Sequence, residues 1–580
     1  MKRLALFFFF DEQGIVDKYI YDILQDLKNS VRKIVVVVNG KIEEEYLRQL
    51  ENMSVEVLVR QNRGYDVWAY KEGIDFIGLD VLRSYDEFIL MNYTNFGPIY
   101  PFKEMFDHMS KRKELDFWGL TKSWGNNRDI PQHIQSHFIV VRKNMLQSNY
   151  FAEYWNNVPE IKCYNDALWK HEFVFTTFFE KRGFKWDVYL NIDEFKNSVS
   201  NPLLAYPYYM IKSKRTPLIK RKSFFLEPSW VFEIGLKSNL RQAMEYMEKE
   251  LKYNTNNIWE NLLRTQDLQI LRWTMGLEFI VSDYGKCEIA DDTLVIIDVR
   301  YRIDLTFLNE YLEKIPRNVD VYIISNNSNI DFEETKFSRA VHYLFYQGER
   351  FSFYEINKLK KYSYIGYANI SECRGDLTDK FSLYDKENFD NMFASPEAFS
   401  QIINIFKERK EIGVLFSGLK KEDDIINCIW REQYEAINKI LIESGINVKT
   451  NALTAPIYHL NGFVFFRTEI LSQYCEIVSK LLKEGIDRKL SWIFLTLVAQ
   501  SNNFASGYFY NQKYVTDELN FCEYQKQVYL QGQDYSLDVD IEAMKHFSLK
   551  EMYRLNKKYV LEKYVDLKDA FERRLLVNKK

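Results

Sequence analysis

The chain opens on alternating blocks of two kinds. Leu4 to Phe10 and Ile34 to Val38 are short, continuous apolar runs, and Val55 to Val59 is an apolar run broken by Glu56, each closed by polar or turn-forming residues. Continuous apolar runs of this length suit strands covered on both faces. Between them, residues 16–30 place Ile20, Ile23, Leu24 and Leu27 at helical spacing, and residues 43–51 also read as a helix. Strand, helix, strand, helix, strand predicts a parallel, doubly wound α/β sheet. The first run has the look of a leader peptide, but Asp11 and Glu12 follow Phe10 and no small-residue cleavage site does, so it reads as the first strand.

Two strand ends stand out. Phe88–Met91 is a fourth apolar run that stops at Asn92-Tyr93-Thr94-Asn95 and Gly97-Pro98. The third run leads into Asn62-Arg63-Gly64-Tyr65-Asp66, followed by Trp68 and Lys71 at a helix start. In open α/β sheets ligands bind at the carboxyl ends of strands, and a glycine between strand and helix lets backbone approach a ligand closely. Both clusters are therefore expected in one pocket. Ordinary strand-to-helix loops are the alternative.

The same block pattern restarts later. Strands are expected at Leu294–Val299 and Val321–Ser325. KYSYIGYANIS echoes SYDEFILMNYT, placing Asn369 opposite Asn92. GFVFFRTEIL echoes HFIVVRKNML, placing Arg467 opposite Arg142 and, in the extended register, Trp492 opposite Glu172. Chance similarity of short apolar runs is the competing explanation. The chain divides into 1–225, an α/β domain; 226–285, a helical connector; 286–530, a second, degenerate α/β domain; and 531–580, a basic helical tail.

Composition changes this picture little. At 580 residues several cores are expected, and a net charge of −4 carries no nucleic-acid signature. The six cysteines are scattered without a CxxC pair, which disfavours structural zinc and disulfides and suits a cytoplasmic protein. Between Pro202 and Phe225, six cations (Lys212, Lys214, Arg215, Lys220, Arg221, Lys222) alternate with aromatics. Such a stretch suits an anionic membrane surface or a lipid-linked pyrophosphate, or else is a basic connector. The tail offers a similar choice between membrane and body.

The ordered motifs FFFFDEQGIVDKYI, VVVVNG, NRGYDVWAYKEGI, ILMNYTNFGPIYPF, DFWGLTK and IQSHFIVVRK resemble the rhamnan synthesis F family of bacterial polysaccharide glycosyltransferases, densely over the first 225 residues. The resemblance implies a GT-A-like fold and transfer of a sugar, L-rhamnose from dTDP-L-rhamnose, to a growing cell-wall or capsular polysaccharide at the inner membrane face. It implies donor contacts from Asn62, Arg63, Gly64, Asp66, Lys71, Asn92, Thr94 and Asn95, and acceptor contacts from Trp118, Gln135, His137 and His171. It also implies Mg2+ or Mn2+ at an Asn-Asp-Ser or Asn-Asp-Thr strand end. Here Tyr93 stands in place of the aspartate. A hard cation wants carboxylate oxygen, so either the metal is held elsewhere, or cationic side chains and backbone N–H groups neutralise the diphosphate.

An acceptor hydroxyl needs a base. Glu172, at the start of a buried helix marked by Phe173, Phe175, Thr176 and Phe179, is the first candidate and Asp166 the second. A purely electrostatic role at that helix start is the alternative. His137 and His171 read as structural or substrate-positioning, and His133 as a loop residue. Two other readings stay open: transfer of another sugar to a surface adhesin, and a non-catalytic glycan-binding or scaffold subunit, favoured by Tyr93.

Overall fold

The computed structural model describes residues 1–125, 129–196, 201–226, 239–287, 292–300, 305–328, 330, 332, 336–346, 359, 361–370, 383–419, 423–517 and 519–520. Met1–Asn511 form one compact unit and Gln512–Lys580 a second. The tail expected at 531–580 lies outside the described residues.

The first apolar runs are strands β1 (Arg3–Phe10), β2 (Lys33–Asn39), β3 (Glu56–Arg60) and β4 (Glu87–Asn92), all parallel. Helices α1 (Lys18–Lys28), α2 (Glu44–Asn52) and α3 (Tyr65–Ile77) connect or follow them. The unbroken apolar composition of β1 has a direct cause. Successive strand side chains point to opposite faces. Ala5, Phe7 and Phe9 pack with Ile20, Ile23 and Leu24 of α1, whereas Leu4, Leu6 and Phe8 pack with Val67, Tyr70 and Ile74 of α3. Each such fully buried Leu, Ile or Phe stabilises the fold by about 1.5–3 kcal/mol relative to exposure.

The sheet is completed by β6 (Phe117–Gly119), β9 (Phe138–Arg142) and β10 (Trp186–Val188), in the order β10-β6-β9-β4-β1-β2-β3, with β9 antiparallel to both neighbours. Two short antiparallel pairs sit beside it: β5 (Asn95–Phe96) with β11 (Ile219–Lys220), and β7 (Lys122–Ser123) with β8 (His133–Ile134).

The second sheet holds β12 (Glu278–Val281), β13 (Thr293–Val299), β14 (Asp320–Ser325), β15 (His342–Phe345), β16 (Tyr364–Ile370), β17 (Ile412–Ser417), β18 (Val464–Arg467) and β19 (Ala505–Asn511). Its order is β12-β19-β17-β18-β16-β13-β14-β15, with β18 antiparallel to its neighbours. Without the added edge strand β12, both sheets follow one connectivity: counted in chain order within each half, strands 3-2-1-4-6-5-7, the sixth reversed. The architecture is α/β and GT-A-like, and the second half repeats the first.

The register of the repeat is visible in the pairing. Glu87 faces Arg142 across β4 and β9, and Tyr364 faces Arg467 across β16 and β18. Counting forward by the same step brings Asn92 opposite Asn369, as the sequence echo predicts. The two arginines also do the same work. Arg142 donates to the carbonyls of Met109 (2.6 Å) and Leu115 (3.1 Å), and Arg467 to those of Phe406 (2.6 Å) and Ile412 (2.8 Å). Each satisfies one carbonyl in the last turn of the helix before a strand, Met109 or Phe406, a group that a helix leaves without a partner, and a second carbonyl beyond that helix.

Helices Leu240–Lys249, Asn256–Thr265 and Leu268–Met275 lie between the sheets. Arg264 binds Asp17 at 2.6 Å and Asp11 at 2.7 Å in the β1–α1 loop, and Gln269 donates to Ala455 O at 3.2 Å. The basic stretch does not form one patch. Lys214 pairs with Glu194, Arg215 with Glu104 at 2.8 Å, and Lys212 reaches Tyr208, while Lys220 turns inward. Among the described residues no helix is long and apolar enough to cross a membrane.

Candidate active site

A cleft of ≈ 810 Å³ opens at the carboxyl ends of β1, β2 and β4. The two strand-end clusters meet there: Asn62, Arg63, Gly64 and Asp66 from one, Asn92, Tyr93 and Thr94 from the other. Gln135, His137, His171 and Glu172 line the same space.

The loop after β3 is braced from below. Arg60 pairs with Glu72 at 2.7 Å and donates to Arg63 O at 3.0 Å, and Asn39 reaches Asn62 and the Tyr65 carbonyl. Gly64 caps α3 in the left-handed region at φ 66°, and a Cβ there would lie 2.4 Å from Trp68. Only glycine meets both conditions. This puts Asp66 in the first turn of α3, where its carboxylate accepts from Asn92 Nδ2 at 3.0 Å. Asn92 Oδ1 in turn accepts from the Thr94 N–H (3.2 Å) and hydroxyl (2.6 Å). Burial pushes the Asp66 carboxyl up to about 6, with the Glu172 charge adding to it and the Asn92 bond opposing it.

Glu172 ends a π-helical turn, Leu168–Glu172, directly before the buried helix Phe173–Glu180. Such turns occur often at functional sites. One carboxylate oxygen, Oε2, accepts from the Ser136 N–H at 3.0 Å and from the Ser136 hydroxyl. The other, Oε1, faces His133 Nε2 at 3.8 Å. Burial favours the neutral acid, but the Ser136 bonds and the His133 ring facing the other oxygen outweigh it and hold the carboxyl at about 2. Glu172 is thus an oriented, permanent anion with one lightly engaged oxygen. His133 is a buried β8 residue and the partner of Glu172, rather than a loop residue.

His137 is 2% exposed, and neither ring nitrogen has a hydrogen-bond partner. Burial, then the Lys220 charge, hold it neutral. His171 meets the Tyr154 hydroxyl at 2.9 Å through Nδ1, and burial lowers it to about 4. Gln135 Oε1 accepts from the Thr121 hydroxyl at 2.7 Å.

Four expected residues lie outside the cleft. Lys71 Nζ donates to the Trp155 carbonyl at 2.7 Å. Asn95 sits in β5, fully buried. Trp118 is buried in the core against Phe106 and Phe138, because inward positions of a strand covered on both faces cannot reach a ligand. Asp166 accepts from Lys162 N (2.9 Å) and pairs with Lys170 (2.9 Å) on the outer side of its helical turn. Sequence reasoning missed Asn39, Ser136, Tyr164 and Lys220 as cleft residues.

The donor set at the end of β4 does not fit the expected divalent cation. Both Asn92 side-chain groups are engaged, and Tyr93 packs edge-on against Phe8 (5.6 Å) and Phe9 (5.8 Å) with Arg221 over its ring. Among the described residues no group of three or more His, Cys, Asp or Glu side chains is placed to hold a metal ion.

In the second half the corresponding place is filled. Thr496 and Thr176 are both fully buried and bind the segments before β18 and β9, Thr496 through Ile457 O and Thr176 through Ile134 N. Four residues earlier stand Trp492 and Glu172. Trp492 packs on Tyr367 at 4.8 Å and against Gly462, where a Cβ would lie 2.0 Å from the indole. Asp298, fully buried, is closed off by Arg300 (2.7 Å) and the hydroxyls of Tyr367 (2.6 Å) and Tyr346 (3.0 Å).

The family described as rhamnan synthesis protein F matches residues 34–483. A protein of Sinorhizobium fredii (strain NBRC 101917 / NGR234), described as uncharacterized protein y4gN, is 22% identical over 183 residues, 31% of this chain and 46% of that one. The chain thus spans under half the length of that relative. Among solved structures, glucosyl-3-phosphoglycerate synthase from Mycobacterium tuberculosis with Mg2+ and uridine diphosphate is similar at 9% identity and a TM-score of 0.19, over 25% of this chain and 57% of that one. A cytidylyltransferase from Leptospira borgpetersenii serovar Hardjo-bovis (strain JB197) is similar at 12% identity and 0.21, over 33% and 76%. At such scores the fold is read from the strand order itself.

Proposed function

The chain belongs to the rhamnan synthesis protein F family, and from that membership and the cleft we propose that it is a glycosyltransferase of polysaccharide synthesis. The donor is a nucleotide sugar, and dTDP-L-rhamnose is the one the family's name favours. The observation that carries the reading is the meeting of both strand-end clusters and an ionised, oriented carboxylate in one cleft at the switch point of a parallel sheet.

In this reading the Asn62–Asp66 loop and Asn39 hold the nucleoside, and Asn92 and Thr94 face the diphosphate. Glu172 Oε1 takes the proton of the acceptor hydroxyl as its oxygen attacks the anomeric carbon. The new C–O bond forms while the bond from that carbon to the diphosphate breaks, and nucleoside diphosphate leaves from the opposite face with inversion. His171, neutral, positions the acceptor, a growing glycan. The enzyme works in the cytoplasm, on an acceptor at the membrane face.

One observation favours a second assignment of the base. A base serves best with a pKa near the working pH, and Asp66 stands at about 6 against about 2 for Glu172. Glu172→Gln and Asp66→Asn, assayed for kcat and KM on a panel of nucleotide sugars, separate the roles. Loss of kcat in Glu172→Gln with KM for donor unchanged supports Glu172; the same pattern in Asp66→Asn alone transfers the role to Asp66. Failure of the wild-type protein to turn over any nucleotide sugar, by transfer or hydrolysis, removes the enzyme reading.

A further inference from the structure

The site that a divalent cation would fill is approached instead by a lysine. β11 pairs with β5 so that Lys220 lies opposite Asn95, and Arg221 N–H donates to the Thr94 carbonyl at 3.0 Å. The end of β4 and the start of the basic triplet are therefore stitched together. Lys220 lines the cleft, and among the described residues its ammonium has neither a hydrogen-bond nor an ion-pair partner. Arg221 is spent elsewhere, on Asn261 (3.1 Å) and over the Tyr93 ring. Lys222, also on the cleft, is exposed.

We propose that Lys220, with Lys222 beside it, binds the diphosphate of the nucleotide donor and supplies the positive charge that a divalent cation would otherwise provide; this rests on the donor reading above. Three observations support it. The cleft carries five cations (Arg63, Lys162, Lys220, Arg221, Lys222) against two carboxylates, Asp66 and Glu172. A partly buried ammonium without a partner among the described residues is costly to desolvate, so it is poised to pair with an anion. His137, buried and unpartnered at the same wall, offers a ring N–H to the same oxygens. Burial lowers Lys220 to about 8, opposed by Glu172 and Asp66, so it stays largely protonated at neutral pH. As the leaving diphosphate gathers charge, a fixed ammonium stabilises it without a metal.

The test is titration calorimetry of the full chain with dTDP, UDP, GDP and the matching nucleosides, in EDTA and then with MgCl2 or MnCl2. The wild-type protein should bind one diphosphate in EDTA with little gain from metal. Lys220→Met should weaken that diphosphate about tenfold, the size of a charged hydrogen bond, leave the nucleoside unchanged, and be rescued by Lys220→Arg. Diphosphate binding that requires the metal, or wild-type affinity in a folded Lys220→Met, overturns the proposal while the donor reading stands. If no diphosphate binds in either buffer, the donor reading falls and the proposal with it. If thermal melts show Lys220→Met unfolded, the wild-type comparison of EDTA with metal decides alone.

Discussion

Replacing Glu172 by Gln removes a charge and keeps the shape. The carboxyl drops from 4.5 to about 2 in the fold because Ser136 hydrogen-bonds its anion and His133 faces it. At 1.36 kcal/mol per pKa unit, the ionised form is favoured by about 3 kcal/mol over the neutral one. The side chain is 19% exposed, so water takes part of this. Glutamine mimics the neutral form, so the variant should be destabilised at pH 7 by up to that amount. The pH dependence is specific. A depressed carboxyl contributes fully above its unfolded pKa, here 4.5, and loses that contribution as pH falls through about 2. The stability gap between wild type and Glu172→Gln should be widest at pH 7, unchanged down to pH 4.5, and shrinking below it. Urea midpoints for both proteins at pH 7, 5, 4 and 3.5 measure it. Equal stability at pH 7, or a gap that ignores pH, would refute the picture of an anion held by Ser136.

Three further outcomes follow from particular contacts. His171 is kept neutral by burial, at about 4 against 6.5; the unfolded chain then binds the extra proton, so stability falls as pH drops from 6.5 to 4, by about 3 kcal/mol in full, and His171→Gln should flatten that part of the urea profile. Gly64→Ala, at φ 66° and with Trp68 in the way, should shift the loop that carries Asp66 and cost about 1–3 kcal/mol, seen as a lower melting point and weaker diphosphate binding. Trp492→Phe should leave sugar transfer unchanged and lower stability by about 1 kcal/mol through packing against Tyr367; a loss of transfer in the folded variant would assign the second half a catalytic part.

What was legible from sequence was local. Runs such as Leu4–Phe10 and Phe88–Met91 must be buried on both faces, and only a doubly covered sheet allows that, so strands and repeat register followed from apolar periodicity. Asn92 and Asp66 followed from polar residues at strand ends. The misplaced residues share one cause. Lys71, Asn95, Trp118 and Asp166 sit beside the right motifs, but a one-residue turn of helix or strand points them to the core or to solvent. Ser136 had no signal of its own, and Lys220 only that of the basic stretch around it. Lys220 is delivered by pairing of strands more than a hundred residues apart, and Ser136 matters only because Glu172 lies across from it.

The most direct test of the enzyme reading is release of nucleoside diphosphate from a panel of nucleotide sugars by the wild-type protein and by Glu172→Gln, at matched folded fraction. One donor should be turned over by the wild type, and the variant should bind it normally while kcat falls by about 10²–10⁴-fold. Turnover of no donor by the wild type would contradict it, and wild-type turnover by Glu172→Gln would remove Glu172 as the base.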